Sequence, residues 1–581
     1  MAVKIIENID SKKLRGGYYT PQAITDFICK WAITKPTQKV LEPSCGDGNF
    51  IESAIRRFKE LGVPNNKLFG LIKGIELIED EADKSKDRAA KYGLNSTTIL
   101  NADFFNYISN ANGEANIDVV IGNPPFIRYQ NFPEEHRKVA FKMMEEMNLH
   151  PNKLTNIWVP FLVISASKLN RFGTLAMVIP AELFQVKYAA ETRVFLSKFF
   201  SRITIVTFKK LVFADIQQEI VLLLCEKDVT SNIGIRVLEM NNLSELNSIE
   251  IDKVQKADVK VLEHSTEKWT KYFLDESEIQ LLRKIKSDAR IKPCSDIMEV
   301  DVGIVTGRNE FFMLSKELVS KWKLKGYTTK VVSKSNHFKG IVYSDADFET
   351  NVEENNPVQL FLPENKAYSL LPKVCPEYIT HGEEMDFHSG YKCRIRKSWF
   401  ITPSLWSPDA FVLRQVGDYP KLILNKTNAS STDTIHRVRF KTNVKPENIA
   451  ISYLNSLTFA FSEILGRSYG GGVLTFEPTE IEEIPLPLLS QHTVDLKKID
   501  SLIRQRKIQE VLDIVDKELL IKQLNFSETE VQMLRGIWKK LSARRLNLYG
   551  SYSPTLAANE EIIPDIPRPL AAGSLIRSKN L

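Results

Sequence analysis

Residues 40–55 read VLEPSCGDGNFIESAI. A short apolar run ends in an acid and a proline. Gly46 and Gly48 follow, and the chain then becomes an amphipathic helix, NFIESAIRRFKELG (residues 49–62). Glycines between a strand and a helix let the backbone bend sharply and pass close to a ligand with no Cβ in the way. The same alternation continues outward. LFGLIKGIEL (68–77) reads as a second strand, and EDEADKSKDRAAKYG (79–93) as a helix closed by glycine. STTILNADFF holds a third strand and IDVVIGNPPF a fourth that ends in a turn. WVPFLVISASKLNRFG followed by TLAMVIP gives another helix and strand, and ITIVTF and EIVLLLCEK are later strands. Strand and helix in alternation predict an α/β layer with a mostly parallel sheet and ligands at the C-terminal strand ends.

Acidic residues fall at those ends. Glu76 closes the second strand, 28 residues after Gly48, where a carboxylate accepts from both hydroxyls of a ribose. Asp103 follows the third strand and precedes Phe104 and Phe105. A carboxylate there suits an adenine amino group, and Phe104 suits the ring face. Each acid taken singly reads equally well as a helix N-cap; three such features at successive strand ends point to a nucleoside. Ile51 stands where a dinucleotide fingerprint has its third glycine, which argues for a nucleoside carrying an amino acid rather than a pyrophosphate.

The fourth strand ends in Asn123-Pro124-Pro125-Phe126. With GGYYTPQAITDFI upstream (Tyr19, Thr20, Pro21), the EPSCGDGNF loop (Glu42, Pro43, Ser44, Cys45, Gly46, Gly48), Glu76 and Asp103-Phe104, this turn resembles the amino-methyltransferases of DNA. Their hallmark is Asp/Asn/Ser-Pro-Pro-Tyr/Phe. The order of cofactor motifs, catalytic motif and recognition region resembles the gamma class, the group of the TaqI methylase. Length and C-terminal phrases are most similar to BseCI-type methylases. The resemblance implies an adenine-N6 methyltransferase with S-adenosyl-L-methionine as cofactor, bound by the residues just named together with Asn123. It implies a Rossmann-like methyltransferase domain with a mixed, mostly parallel sheet over residues 1–245. A mixed α+β target-recognition domain follows over 246–488, then a helical segment over 489–550 and a tail over 551–581. It also nominates Phe213, in KKLVFADIQQEIVLLL, as a second aromatic for the target base.

The turn has a chemical reason. The exocyclic nitrogen of adenine is a poor nucleophile because its lone pair is delocalised. Two acceptors, the Asn123 side-chain oxygen and the Pro124 carbonyl, would draw that nitrogen toward a tetrahedral shape. Prolines stiffen the turn, and Phe126 would stack on the base and steady its developing charge. A paired base must first leave the duplex, which costs a few kcal/mol.

Residues 391–445 carry eleven cations against Asp409, Asp418 and Asp433, although the net charge of the chain is only +6. Interleaved with Tyr391, Trp399, Phe400, Trp406 and Phe411, they suit contact with double-stranded DNA. Lys392, Arg394, Arg396, Lys397, Arg414 and Arg308 are the candidate DNA contacts, the arginines being candidate guanine readers. The phrases GIVTGRNEFF (303–312) and GRSYGGGVLTFEPTEIEEIPLP (466–487) resemble those of target-recognition domains. The BseCI-type kinship would imply a palindrome of the ATCGAT kind.

Rival chemistries fit less well. A C5-cytosine methylase needs a cysteine after a proline, and Cys375-Pro376 has the reverse order. An N4-cytosine methylase usually has serine at the Asn123 position. Protein-glutamine methyltransferases share the motif but lack a long basic C-terminal region; an RNA adenine methylase is a further alternative. An intact NPPF argues against a decayed specificity subunit, and no nuclease constellation is evident. The six cysteines have neither CxxC nor zinc spacing, so no metal is expected. No apolar run approaches the ~20 residues of a membrane helix, and the N-terminus does not read as a secretory signal. The expectations are a cytoplasmic monomer with no membrane partner, working beside a separate restriction endonuclease whose cutting it blocks.

Overall fold

The structure, a computed structural model, describes residues 19–94, 98–110, 116–210, 212, 219–366, 368–441, 444–469, 472–488 and 494–547. Two compact units are present: the first takes in the described residues through Phe273 and those from Leu546 on, and the second runs from Leu274 to Arg545.

The first unit is built on an eight-stranded sheet. Its strands are β1 (Val40–Glu42), β2 (Ile72–Glu76), β3 (Ile99–Asn101), β4 (Ile117–Gly122), β5 (Leu169–Pro180), β6 (Arg202–Phe208), β7 (Ile220–Glu226) and β8 (Gly234–Met240). They lie in the order β3-β2-β1-β4-β5-β7-β6-β8. β1 pairs in parallel with β2 and β4, with Val40 opposite both Ile72 and Val119. β3 and β5 extend the parallel set, whereas β7 runs antiparallel between β5 and β6. The sheet order reverses at β1/β4, and the crevice outside those two strand ends is where such sheets bind ligands.

Helix α1 (Gln22–Ala32) and α2 (Asn49–Glu60) bury Ile24, Phe27, Ile28, Phe50, Ile51, Ile55 and Phe58 in one core cluster with Val119 and Ile121. α3 (Glu79–Ala90) has three acids in its first turn, favourable against the helix dipole, and closes at Gly93. α4 (Phe104–Asn110), α5 (Glu134–Glu146) and α6 (Trp158–Ser167) follow. α6 is apolar all round and almost wholly buried, which is why it shows no amphipathic period.

Two boundaries differ from the sequence expectation. α6 stops at Ser167 and β5 begins at Leu169, so Asn170-Arg171-Phe172-Gly173 belongs to a strand, not a helix. Pairing with β4 decides this: Leu169 faces Ile117 and Thr174 faces Val119, with a register shift between. The unit boundary falls after Phe273 rather than near 245. The segment past β8 stays with the first unit because Lys260 exchanges backbone hydrogen bonds with Ile235 and Arg193 donates to the carbonyls of Thr266 and Glu267.

In the second unit a five-stranded sheet runs Met298–Asp301, Ile435–Phe440, Ala410–Leu413, Leu422–Asn425, Val342–Tyr343. A separate aromatic-rich cluster contains Phe311, Phe312, Phe361, Tyr378 and Phe400. Helices Leu496–Arg504, Ile508–Val515 and Glu528–Asn547 lie near the end of the unit, with a π-helical stretch at Asp516–Gln523.

Candidate active site at the strand ends

The glycine loop after β1 is held by short local bonds. The Gly48 amide donates to the Cys45 carbonyl and the Cys45 amide to the Ile75 carbonyl, both at 2.9 Å. Gly48 is left-handed, with φ of +88°, and a Cβ there would lie 2.6 Å from Ser85 Oγ. No other residue type fits without displacing α3.

Glu76 links the loop to the next strand. Its Oε2 accepts from the Gly46 amide at 2.8 Å and its Oε1 from the Ile78 amide at 2.9 Å. Burial lifts its carboxyl above the ordinary 4.5, opposed by those two backbone bonds. Glu42, at the end of β1, is 1% exposed. Burial pushes its carboxyl well above the usual range, with Glu76 and Asp47 adding to the effect. Its Oε2 is buried with no hydrogen-bond partner among the described residues.

Asp103 sits beside Glu76, because the amide of the intervening Ala102 donates to the Glu76 carbonyl at 3.0 Å. Its Oδ1 accepts from the Asn106 amide at 2.8 Å, and His136 of α5 stands 3.3 Å from Oδ2. Asp103 thus caps α4 through Oδ1, while Oδ2 faces His136. His136 carried no signal in the sequence, where it is a lone histidine within EEHRK.

The NPPF turn adjoins this crevice. A Cβ on Gly122 would lie 3.6 Å from both Glu42 and Pro43. Asn123 Nδ2 donates to Thr20 Oγ1 at 3.1 Å, and Asn49 Nδ2 donates to the Thr20 carbonyl at 3.3 Å. Thr20 thus ties the upstream TP segment to the glycine loop and to the turn. Pro124 is buried, Pro125 and Phe126 half-buried, and Phe126 packs against the core cluster of the sheet. Cys45 and Pro43 are buried, Ser44 half-buried, and Pro21 precedes α1. Tyr19 is half exposed and its hydroxyl meets Glu81 at 3.2 Å.

Phe104 departs from expectation. Its ring is 2% exposed and stacked on Phe161 at 5.4 Å, with Phe105 edge-on at 5.3 Å. It is part of an aromatic core under the site rather than an open wall, because α4 turns its first residue inward. Phe213 lies outside the described residues.

The residues fit S-adenosyl-L-methionine by their chemistry. Three carboxyls, Glu42, Glu76 and Asp103, line successive strand ends, and one keeps an orphaned buried oxygen. Such a donor set repels a pyrophosphate and suits a cationic nucleoside with hydroxyl and amino donors.

The basic segment divides in two. Arg437 is 2% exposed and donates to the carbonyls of Val302 and Ser404 and to Asp301. Arg396 donates to the Val305 carbonyl at 2.6 Å, and Arg414 meets Glu477 at 3.2 Å. Arg396 and Arg414, expected at DNA, are thus committed to internal acceptors, because the loops they brace offer buried carbonyls and a carboxylate that need donors. Arg394, Lys397 and Arg439 remain exposed, and Arg308 and Lys392 are half-exposed. The Arg439 guanidinium lies 4.7 Å over the Trp406 ring. Arg308 Nε is buried without a partner among the described residues. Next to it, Gly307 is left-handed and packs on Lys392 and Cys393.

A Rossmann-like sheet with one antiparallel strand, a glycine loop after its first strand and an Asn-Pro-Pro-Phe turn after its fourth defines an amino-methyltransferase. A family described as N-6 DNA Methylase matches residues 5–293, and one described as Type II methyltransferase M.Eco57I, C-terminal domain, matches residues 266–520. The chain belongs to the N-6 DNA methylase family: it is a DNA methyltransferase whose methyl donor is S-adenosyl-L-methionine. The type II methyltransferase M.AccI of Acinetobacter calcoaceticus is 23% identical over 543 residues, 89% of this chain and 95% of that protein. M.HindII of Haemophilus influenzae is 23% identical over 350 residues, 58% of this chain and 62% of that protein. Among solved structures, the type IIL restriction-modification enzyme MmeI, solved in complex with DNA, shares the fold. Its TM-score is 0.57 at 13% identity, covering 88% of this chain and 73% of that one. Among the described residues no group of His, Cys, Asp and Glu is placed to hold a metal, and no helix is long and apolar enough to cross a membrane.

Proposed function

We propose that the chain methylates N6 of a flipped-out adenine within a short recognition sequence in double-stranded DNA, of the ATCGAT kind. The first unit carries the chemistry and the second reads the sequence. The methylation protects DNA from a separate endonuclease in the same cytoplasm, and the enzyme works as a gamma-class monomer. One observation carries the reading. The Asn123-Pro124-Pro125-Phe126 turn lies against the β1 loop, with Asn123 bonded to Thr20 and Gly122 beside Glu42.

The bound cofactor would supply an electrophilic methyl group, whose bond to the sulfonium sulfur breaks as the bond to nitrogen forms, leaving a neutral thioether. The chain does the rest by orientation. Asn123 Oδ1 and the Pro124 carbonyl accept the two N–H bonds of the amino group and aim its lone pair. Phe126 stacks on the base and offsets part of the unstacking cost. No strong base is needed: the methylated nitrogen, positively charged once the new N–C bond forms, loses its proton afterwards. Glu76 accepts from the ribose and Asp103 from the cofactor's amino group. In the second unit Arg308, Lys392, Arg394 and Lys397 meet the phosphates and base edges. The MmeI likeness supports a duplex DNA partner, as that enzyme was solved bound to DNA.

Sequencing of methylated bases in DNA from cells expressing the chain is the test. The expected result is N6-methyladenine at one short sequence, lost with Asn123→Ala. Methyl groups on cytosine, or full activity of Asn123→Ala, would refute the proposal.

A further inference from the structure

An asparagine can serve the turn only in one of two orientations. Its amide has an acceptor end and a donor end of nearly the same shape. Turned one way it draws on the N–H of the target amino group; turned the other it opposes two donors. Aspartate, with two oxygens, has no such ambiguity. The Asn123 enzyme therefore needs a group that fixes the amide.

We propose that Thr20 is a positioning residue for Asn123: its Oγ1 takes an amide N–H and so holds the acceptor oxygen toward the substrate. The inference rests on the catalytic reading of Asn123 given above. Thr20 is 5% exposed and its Oγ1 lies 3.1 Å from Asn123 Nδ2, across 103 residues of sequence. It is not free to drift. Its carbonyl accepts from Asn49 Nδ2 at 3.3 Å, and Asn49 opens α2 directly after the glycine loop. α1 begins two residues after Thr20, and Ile24 and Thr25 donate their amides back to Pro21. The backbone that carries the hydroxyl is thus held on both sides of Thr20 before substrate enters, which favours pre-organisation. The resemblance to DNA amino-methyltransferases places Thr20 in a cofactor segment. Its side chain also contacts the Asn123 amide, so the predicted defect includes turnover at saturating cofactor, beyond any change in cofactor affinity.

The test compares Thr20→Val, which keeps the shape and removes the acceptor, with Thr20→Ser, which keeps it. A hydrogen bond of this kind biases a two-state orientation by on the order of tenfold. Removing that bias takes the productive orientation from about nine-tenths of the molecules to about half, so Thr20→Val is expected to lower kcat about twofold. With kcat read at saturating S-adenosyl-L-methionine, the KM for DNA and the Tm should stay close to wild type, and Thr20→Ser should restore kcat. In an Asn123→Asp background, Thr20→Val should cost little, since either carboxylate oxygen accepts. The proposal is overturned if Thr20→Val keeps wild-type kcat while Asn123→Ala is inactive. It is also overturned if the Thr20→Val loss appears equally in the Asn123→Asp background, or vanishes at saturating cofactor. Full activity of Asn123→Ala would instead remove the catalytic reading itself.

Discussion

Gly48→Ala should damage the first unit by a calculable amount. The residue has φ of +88°, and an added Cβ meets Ser85 Oγ at 2.6 Å, Cα at 3.0 Å and Cβ at 3.1 Å. The left-handed conformation costs a non-glycine residue roughly 1–2 kcal/mol. The Ser85 hydroxyl can rotate away, but the Cα belongs to the backbone of α3 and cannot. Overpacking against it adds roughly 1–3 kcal/mol, offset by about 0.4–1 kcal/mol from a less flexible unfolded chain. A net loss of about 2–4 kcal/mol corresponds to a fall in Tm of roughly 5–15 °C for a unit of this size. Any shift of the loop also moves the Gly46 amide from Glu76, so cofactor affinity should fall by about tenfold or more. Thermal unfolding and cofactor titration read both effects. Adding Ser85→Gly removes the side-chain part of the clash and not the φ part. Measured against Ser85→Gly alone, it should return about 1 kcal/mol of the loss. A Tm within about 2 °C of wild type with unchanged cofactor binding would refute the argument.

Arg545 and Glu463 form a buried pair with side chains 3% and 4% exposed and contacts of 2.8 and 3.1 Å. Arg545→Ala should cost the second unit about 3–5 kcal/mol in denaturant unfolding. Burial already raises the Glu463 carboxyl, and a raised carboxyl binds its proton better when folded, so its stabilising effect is present at low pH and lost as pH rises. The deficit should therefore be larger at alkaline than at acidic pH; a pH-independent loss would count against the cause. If Glu76 accepts from both ribose hydroxyls as proposed, it does so best as a carboxylate, and burial lifts its carboxyl above 4.5. Cofactor affinity should weaken as pH falls, starting above that value, and Glu76→Gln should remove its share of the dependence in equilibrium titration. In the second unit, Arg396→Ala should lower Tm because the Val305 carbonyl loses its donor. Arg308→Ala should leave Tm unchanged and lose about 1–3 kcal/mol of discrimination at one base pair. Competition between single-base variants of the recognition site reads that loss, and undiminished discrimination would remove Arg308 from base reading. Neutralising Lys392, Arg394 and Lys397 together should flatten the salt slope of DNA binding by about 2.7, as titrations at several salt concentrations would show.

The sequence by itself determined the sheet, the glycine loop and the Asn-Pro-Pro-Phe turn. These features are local: a period of two or 3.6, a glycine where φ must be positive, prolines where a turn must be stiff. VLEPSCGDGNF and NPPF are therefore legible in one dimension. Tertiary structure decided what each polar or aromatic group faces. Phe104 followed the acid as expected, yet packs on Phe161. Arg396, Arg414 and Arg437 look like their exposed neighbours in sequence, but buried carbonyls and carboxylates on distant segments claim them. Thr20 meets Asn123 only because the crevice between β1 and β4 brings together positions 103 residues apart. Composition records that a donor is present; the fold alone fixes which acceptor lies within reach, since hydrogen bonds act over about 3 Å and nothing local in the chain encodes a distant partner.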